Sequence, residues 1–290
     1  MELSKSARVG GTKRIVLTVC ATAVFLIISV LITFPILAGL LASFRPGKEL
    51  IRKGLAIDLN PATMTLANYK YIFSGNEDSI KYFTWFRNSL MLTAITVIGT
   101  IIICFLVAYG LSMYNFKLRN VLFFLVIATM MVPFEILMLP LYMEIIKLKL
   151  IDTTLGVVLP GLCGASTIFF FRQYLISLPK DLMDAGRIDG ASEYGICLKV
   201  IMPLAKPAFA SMGILCSMGA WNNLLWPMLV YRSAEKFTLP IGLNTLLTPY
   251  GNNYDVLIAG SMFSIVPVLI VFFLFQSYLI AGMTTGALKG

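Results

Sequence analysis

Six long apolar runs constrain this chain more than any other feature. They cover roughly residues 15–43, 89–113, 121–146, 154–176, 207–230 and 257–281. An α-helix rises 1.5 Å per residue, so each run can cross a hydrocarbon core of about 30 Å. The runs are continuous rather than alternating, which favours helices over a closed barrel. With 58% hydrophobic and 13% charged residues, the chain is far from a soluble composition. The expected fold is all-α: a polytopic membrane protein with six transmembrane helices.

The same sequence excludes several classes of function. The net charge of +9 comes without any aromatic-interleaved basic patch, so the basic residues read as flanks of membrane spans meeting anionic headgroups, not as a nucleic-acid surface. There is no histidine, which removes His-based triads and His-ligated zinc. The five cysteines form no CxxC pair, and packing thiols are the default reading. No GxxxxGK[ST] phosphate loop occurs, so any ATP used must be bound by another chain. The first residues, MELSKSARVGGTKR, are basic, and the run after them is too long for a signal-peptide core. They predict a cytoplasmic N-terminus (1–14), a first span (15–43), an extracellular segment (44–88) and a core of five further spans (89–281). Six spans leave both termini cytoplasmic, with a tail at 282–290.

Few side chains inside the runs carry chemistry. Glu135 lies between Pro133 and Pro140, prolines that should kink the third run or place its end near the membrane surface. This carboxylate either hydrogen-bonds a polar solute or pairs locally at the interface. Asn222 and Asn223 sit between Trp221 and Trp226. Amides in a membrane helix demand partners, either neighbouring helices or a sugar-like solute whose ring faces suit aromatics. An interfacial tryptophan belt is the alternative. The extracellular stretch 231–256 mixes short apolar pieces with Pro, Gly and Asn, as a connector or as a loop reaching into a partner or pore.

One stretch between the fourth and fifth runs, residues 177–206, is polar yet helix-like. Ser177 and Pro179 resemble a helix entry, with Asp181 and Asp184 in its first turn. Leu182, Ala185 and Ile188 recur on one weakly apolar face. Asp189-Gly190 is a turn signal. Ser192 can cap a second short helix, with Glu193 in its first turn and Ile196, Val200 and Leu204 beyond it. Two short helices around a sharp turn give either an amphipathic loop on lipid headgroups or a rigid cytoplasmic knob for a soluble partner.

The stretch LPKDLMDAGRIDGAS resembles the coupling motif of permease subunits of ABC importers, of the form E-A-A-x-x-x-G with a trailing I-x-L-P. Asp184, Ala185 and Gly186 fill the triplet, Gly190 the motif glycine, and Ile201, Met202 and Pro203 the end. Asp184 and Gly186 depart from the usual Glu and Ala. NYKYIF, WFRNSL, WNNLLWP, FTLPIGL and GMTTGALKG extend the likeness along the chain to carbohydrate importers of the maltose type. GLAIDLNP and LTPYGNNYDVLIAGSMF look most like arabino-oligosaccharide permeases of Gram-positive bacteria.

The resemblance implies a type I ABC importer permease fold and no enzymatic activity of the chain's own. It implies a heterodimer with a second permease, two ATPase subunits that hold ATP and magnesium, and an extracellular solute-binding protein that delivers the sugar. No cofactor or metal is expected on this chain. Asp184, Ala185, Gly186, Asp189, Gly190, Ala191 and Glu193 would then engage the ATPase, and Leu288, Lys289 and Gly290 would reach between its copies. Thr248, Pro249, Tyr250, Gly251, Asn252 and Asn253 would enter the binding protein. Glu135, Asn222 and Asn223 are the pathway candidates. A self-sufficient secondary transporter or channel is the alternative, disfavoured by the lack of internal repeats and of membrane-embedded charge.

Overall fold

The computed structural model describes residues 2–53, 64–74, 81–179, 181–248 and 251–287, by backbone alone at 2–12, 51–53, 248, 251–252 and 277–287. Helices dominate. Three of them are long and continuous: α1 (Glu2–Ser43), α4 (Tyr82–Met113) and α15 (Tyr254–Ala287). Short α2 (Gly47–Lys53) and α3 (Ala67–Phe73) lie between the first two. One two-residue antiparallel pair, β1 (Leu247–Thr248) with β2 (Gly251–Asn252), is the only strand structure among the described residues.

The other apolar runs are broken. The third folds as α5 (Arg119–Met130) and α6 (Phe134–Lys147), bent by 103°. The single kinked span expected there is therefore two helices at nearly a right angle. Pro133, at φ −58° and ψ 136°, forces the break, since its extended ψ cannot continue α5. Pro140 stays inside α6. The fourth run is α7 (Thr154–Val158), continued by a 3₁₀ turn to Gly161, and then α8 (Ala165–Ile176), bent by 47°. The fifth ends as a helix at Trp221, giving α12 (Lys206–Trp221) and a separate α13 (Leu225–Val230). The polar stretch between runs four and five forms α9 (Asp181–Ile188), α10 (Glu193–Gly195), a π-helical turn Ile196–Ile201 and α11 (Met202–Leu204). Residues 234–236 make a 3₁₀ turn before α14 (Leu239–Asn244).

The chain divides into two compact units. The smaller comprises residues 1–79 and 246–263. Here Asn68 donates to the carbonyls of Ser43 and Arg45, both at 2.9 Å, and so ties α3 to the end of α1. Gly47 N–H donates to Asp255 at 3.1 Å. Phe73 meets Phe263 edge-on at 5.2 Å. Along α1 the side chains from Ile15 to Leu37 are exposed, an apolar cylinder suited to lipid or another membrane chain.

The larger unit, residues 80–245 and 264–290, is organised on α4. That helix has 32 residues, hence a length of about 48 Å. One core surrounds its C-terminal half: Phe105, Phe171 and Phe209 make mutual ring contacts of 4.7 to 5.6 Å, and Ala108, Leu175 and Met212 close around them. A second core lies at its other end, with Leu92, Ile145, Val157, Trp226 and Val230. Helix breaks leave backbone carbonyls unpaired, and α4 supplies donors. Thr100 Oγ1 reaches Gly161 O at 3.4 Å, and Cys104 Sγ reaches the carbonyls of Leu162 and Gly164 at 3.5 Å.

Candidate functional site

The polar stretch builds a compact knob. At its centre Gly190 has φ +77°, the left-handed region where a side chain is strained. Gly190 N–H donates to Arg187 O and Ala191 N–H to Gly186 O, both at 3.0 Å. This pair of bonds is a Schellman ending for α9. Two residues later Ser192 Oγ accepts from Gly195 N–H at 3.1 Å and opens α10. The chain reverses within Asp189–Ser192, with both helix ends satisfied.

Arg187 locks that reversal. Its guanidinium donates to Asp184 at 3.0 Å and to both oxygens of Glu193 at 2.7 and 3.3 Å. The Tyr114 hydroxyl, just past α4, donates to Glu193 at 2.7 Å. The Arg187 bridge, with help from Tyr114, holds the Glu193 carboxyl below its ordinary pKa. Asp184 and Glu193 thus have an internal cation. Asp184, Ala185, Asp189, Gly190, Ala191 and Glu193 are all exposed.

Packing under the knob differs from the expected face. Met183 and Gly186 are buried, whereas Ala185 is exposed and Ile188 is 86% exposed. A Cβ at Gly186 would sit 2.9 Å from Ile196 Cγ1. The triplet's departure to glycine therefore answers the bulk of Ile196 inside the protein. On the second helix Ile196, Cys197 and Ile201 are buried while Leu204 is exposed. Along the π turn Cys197 and Ile201 are buried where Leu204 beyond it is not, and Val200 packs half-buried beside them. These side chains join the core around Phe105 and Phe171. Outward, Ile188 and Tyr194 (84% exposed) present an apolar and an aromatic contact beside the turn. The sequence put Ile188 on one apolar face with Leu182 and Ala185 and did not single out Tyr194, because an exposed apolar position carries the same residue types as a core position.

The opposite end of α4 holds the segment after α13. Asn88 donates to the carbonyls of Glu235 and Phe237 at 2.7 and 3.0 Å, and Leu239 N–H donates to Ser89 Oγ at 2.8 Å. Asp152, in a left-handed turn at φ 57°, accepts from Arg232 N–H (2.9 Å), Ser233 N–H (3.2 Å), Ser233 Oγ (2.5 Å) and Lys236 Nζ (2.9 Å). Burial opposes its ionisation, but the Ser233, Arg232 and Lys236 donors prevail and hold its pKa far below the carboxylate range. Gly242 packs where a Cβ would overlap the Trp85 indole.

The pathway candidates separate. Asn223 lines a cavity of about 210 Å³ with Thr96, Phe134, Pro160 and Trp226. Asn222 is exposed and its amide returns to Met218 O at 2.9 Å. Glu135 is exposed in the first turn of α6, beside the Phe134 that meets Trp226 edge-on at 6.0 Å. Trp221 and Trp226 are buried, with their indole N–H groups on Ser264 O and Val157 O at 3.2 and 3.1 Å. They are core residues and form no interfacial belt. Of the proposed binding-protein loop, Thr248, Gly251 and Asn252 make the small strand pair, and Asn253 N–H donates to Leu246 O at 3.4 Å. Pro249 and Tyr250, like the tail residues Leu288, Lys289 and Gly290, lie outside the described residues.

Residues 100–285 match the family model described as "Binding-protein-dependent transport system inner membrane component". The chain is 50% identical over 272 residues to the arabinooligosaccharides transport system permease protein AraQ of Bacillus subtilis, covering 94% of this chain and 96% of the relative. It is 30% identical over 261 residues to the sn-glycerol-3-phosphate transport system permease protein UgpE of Brucella suis, covering 88% and 91%. Among solved structures, a bacterial ABC transporter involved in import of the acidic polysaccharide alginate has a chain with a TM-score of 0.79 and 26% identity, covering 91% of this chain and 96% of that one.

Proposed function

The chain belongs to the family of inner-membrane components of binding-protein-dependent transport systems, and on that premise we propose that it carries oligosaccharides across the plasma membrane as one half of a heterodimeric pathway. It is a permease subunit of an ATP-driven importer, embedded in the membrane, and ATP is hydrolysed by a separate chain. The family sets aside a self-sufficient secondary transporter or channel. The complement proposed is a second permease, two ATPase copies that hold ATP and magnesium, and an external solute-binding protein. Arabino-oligosaccharides are the cargo class favoured by the relatives at 50% identity. The termini are proposed to be cytoplasmic, on the side of the knob.

The observation that carries the coupling role is the Arg187 lock across the Gly190 turn. A knob transmits force only if it moves as a body, and both faces of this one are fixed: the inner by Ile196 and Ile201 in the core, the turn by the lock. In this reading Ile188 and Tyr194 seat in the ATPase, and Asp184 to Glu193 frame them. ATP-driven closure of the ATPase pair drags the knob, and α4 and α12 carry that motion to the cavity at Asn223, with Glu135 at its margin. Residues 248–253 engage the binding protein, and residues 288–290 the ATPase.

Purification of the assembly tests this. Ile188→Glu and Tyr194→Glu together should strip the ATPase from the two permeases while leaving those two together. Retention of the ATPase at wild-type stoichiometry would remove the coupling assignment. The cargo is read separately, by uptake of labelled arabino-, galacto- and malto-oligosaccharides into proteoliposomes.

A further inference from the structure

Beside the knob, a groove of about 540 Å³ runs between α4, α5 and α8, lined by Leu106, Gly110, Phe116, Leu125, Val126 and Ile168 among others. Its walls are nearly all apolar, and several of its side chains, including Leu106 and Leu125, are exposed. At the mouth of the groove, Leu111 lines the cavity while its carbonyl accepts from Arg172 Nε at 3.4 Å. One turn on, Arg119 Nη1 donates to Tyr114 O at 3.4 Å and to Asn115 Oδ1 at 2.7 Å. Arg172 also lies over the Phe123 ring, 3.6 Å from its centroid. Every recorded partner of these two guanidiniums is neutral, and neither forms an ion pair with a carboxylate among the described residues. Lys117 sits exposed just before Arg119 in sequence, next to the groove residue Phe116.

Two half-buried guanidiniums at the end of an apolar channel invite an anion with an apolar tail. Arginine offers five donors, and backbone carbonyls and a ring face use only some of them here. From this we infer that the groove is a binding site for an anionic phospholipid: one acyl chain between α4 and α5, and the phosphate on Arg119 and Arg172, with Lys117 adding charge. Basic pockets between membrane helices bind such headgroups by the same physics. The site faces the end of α4 that carries the knob, and Tyr114 belongs to both: its carbonyl accepts from Arg119 and its hydroxyl donates to Glu193. An occupied site would therefore steady the anchor of the coupling turn. The inference rests on this chain's own side chains and stands whatever sugar is carried.

The test uses the intact importer reconstituted in nanodiscs of phosphatidylcholine and phosphatidylglycerol, then extracted in mild detergent, with retained lipid weighed by native mass spectrometry. Wild type should keep phosphatidylglycerol over phosphatidylcholine. Each basic residue near such a headgroup contributes about five-fold, so the pair should give a preference of about thirty-fold. Arg119→Gln with Arg172→Gln should abolish the preference. Leu125→Trp, at an exposed groove position, should expel lipid of both kinds. Added inorganic phosphate should not displace the lipid, because the groove holds its chain. Equal retention of the two lipids, a preference unchanged in the arginine pair, or displacement by inorganic phosphate would overturn the inference. So would a Val107→Cys crosslink to the second permease, which would make the groove a protein interface.

Discussion

At Gly190 the backbone itself demands glycine, while at Gly186 packing does. Gly190→Ala keeps the chain but places a side chain at φ +77°, at a cost of about 1–2 kcal/mol. Gly186→Ala brings its Cβ against Ile196 and should cost about 1–3 kcal/mol. Trimming the neighbour by Ile196→Ala, which removes Cγ1, should make the Gly186→Ala loss smaller in the double variant, a coupling that thermal melts of the two single variants and the double variant can read. If the two changes simply add, Ile196 is not what selects glycine. The Gly190 turn was legible from Asp189-Gly190 followed by Ser192. Gly186 was not, because its reason lies ten residues on, in a side chain brought back by the turn.

Asp152 makes a residue-scale prediction in pH. Its folded pKa is depressed, so its bonds to Ser233, Arg232 and Lys236 add stability at neutral pH. That contribution falls away as pH drops through the ordinary aspartate range toward the folded value. Asp152→Asn should therefore lower the melting temperature at pH 7, and the gap from wild type should narrow only below the ordinary aspartate range, at about pH 2. A gap independent of pH would mean that the charge contributes nothing.

At the scale of elements, hydropathy located the apolar runs but not their breaks. A run is a sum over residues and carries no direction, so the 103° bend at Pro133 and the end of α12 at Trp221 were invisible to it. Prolines gave a partial signal: Pro133 breaks its helix, and Pro140 does not, for reasons set by neighbouring packing. The π turn at 196–201 left no mark in the sequence, and around it Cys197 and Ile201 are buried while Leu204 is exposed. The knob as an element makes its own prediction. Arg187→Gln removes the bridge between α9 and α10, so the amides of Asp189 to Gly195 should exchange hydrogen faster. Amides in α4 far from Tyr114 should not change. Unaltered exchange in the turn would show that the Schellman bonds alone hold it.

At the scale of the whole molecule, membrane embedding and the permease family were readable from the sequence, and the candidate site only in part. Acidic and glycine positions of the knob followed from its motif, whereas Arg187, Tyr114, Ile188 and Tyr194 acquire meaning only once the turn is folded. The central claim is that motion of an ATPase enters this chain through a rigid turn at Gly190. The measurement that tests it most directly is oligosaccharide uptake and ATP turnover, made together on the reconstituted importer carrying Gly190→Pro. Proline fixes φ near −65° and removes the N–H that bonds Arg187 O. Uptake should be lost, and binding-protein-stimulated ATP turnover with it, while the two permeases still copurify. Wild-type uptake with wild-type stimulation in that variant would contradict it.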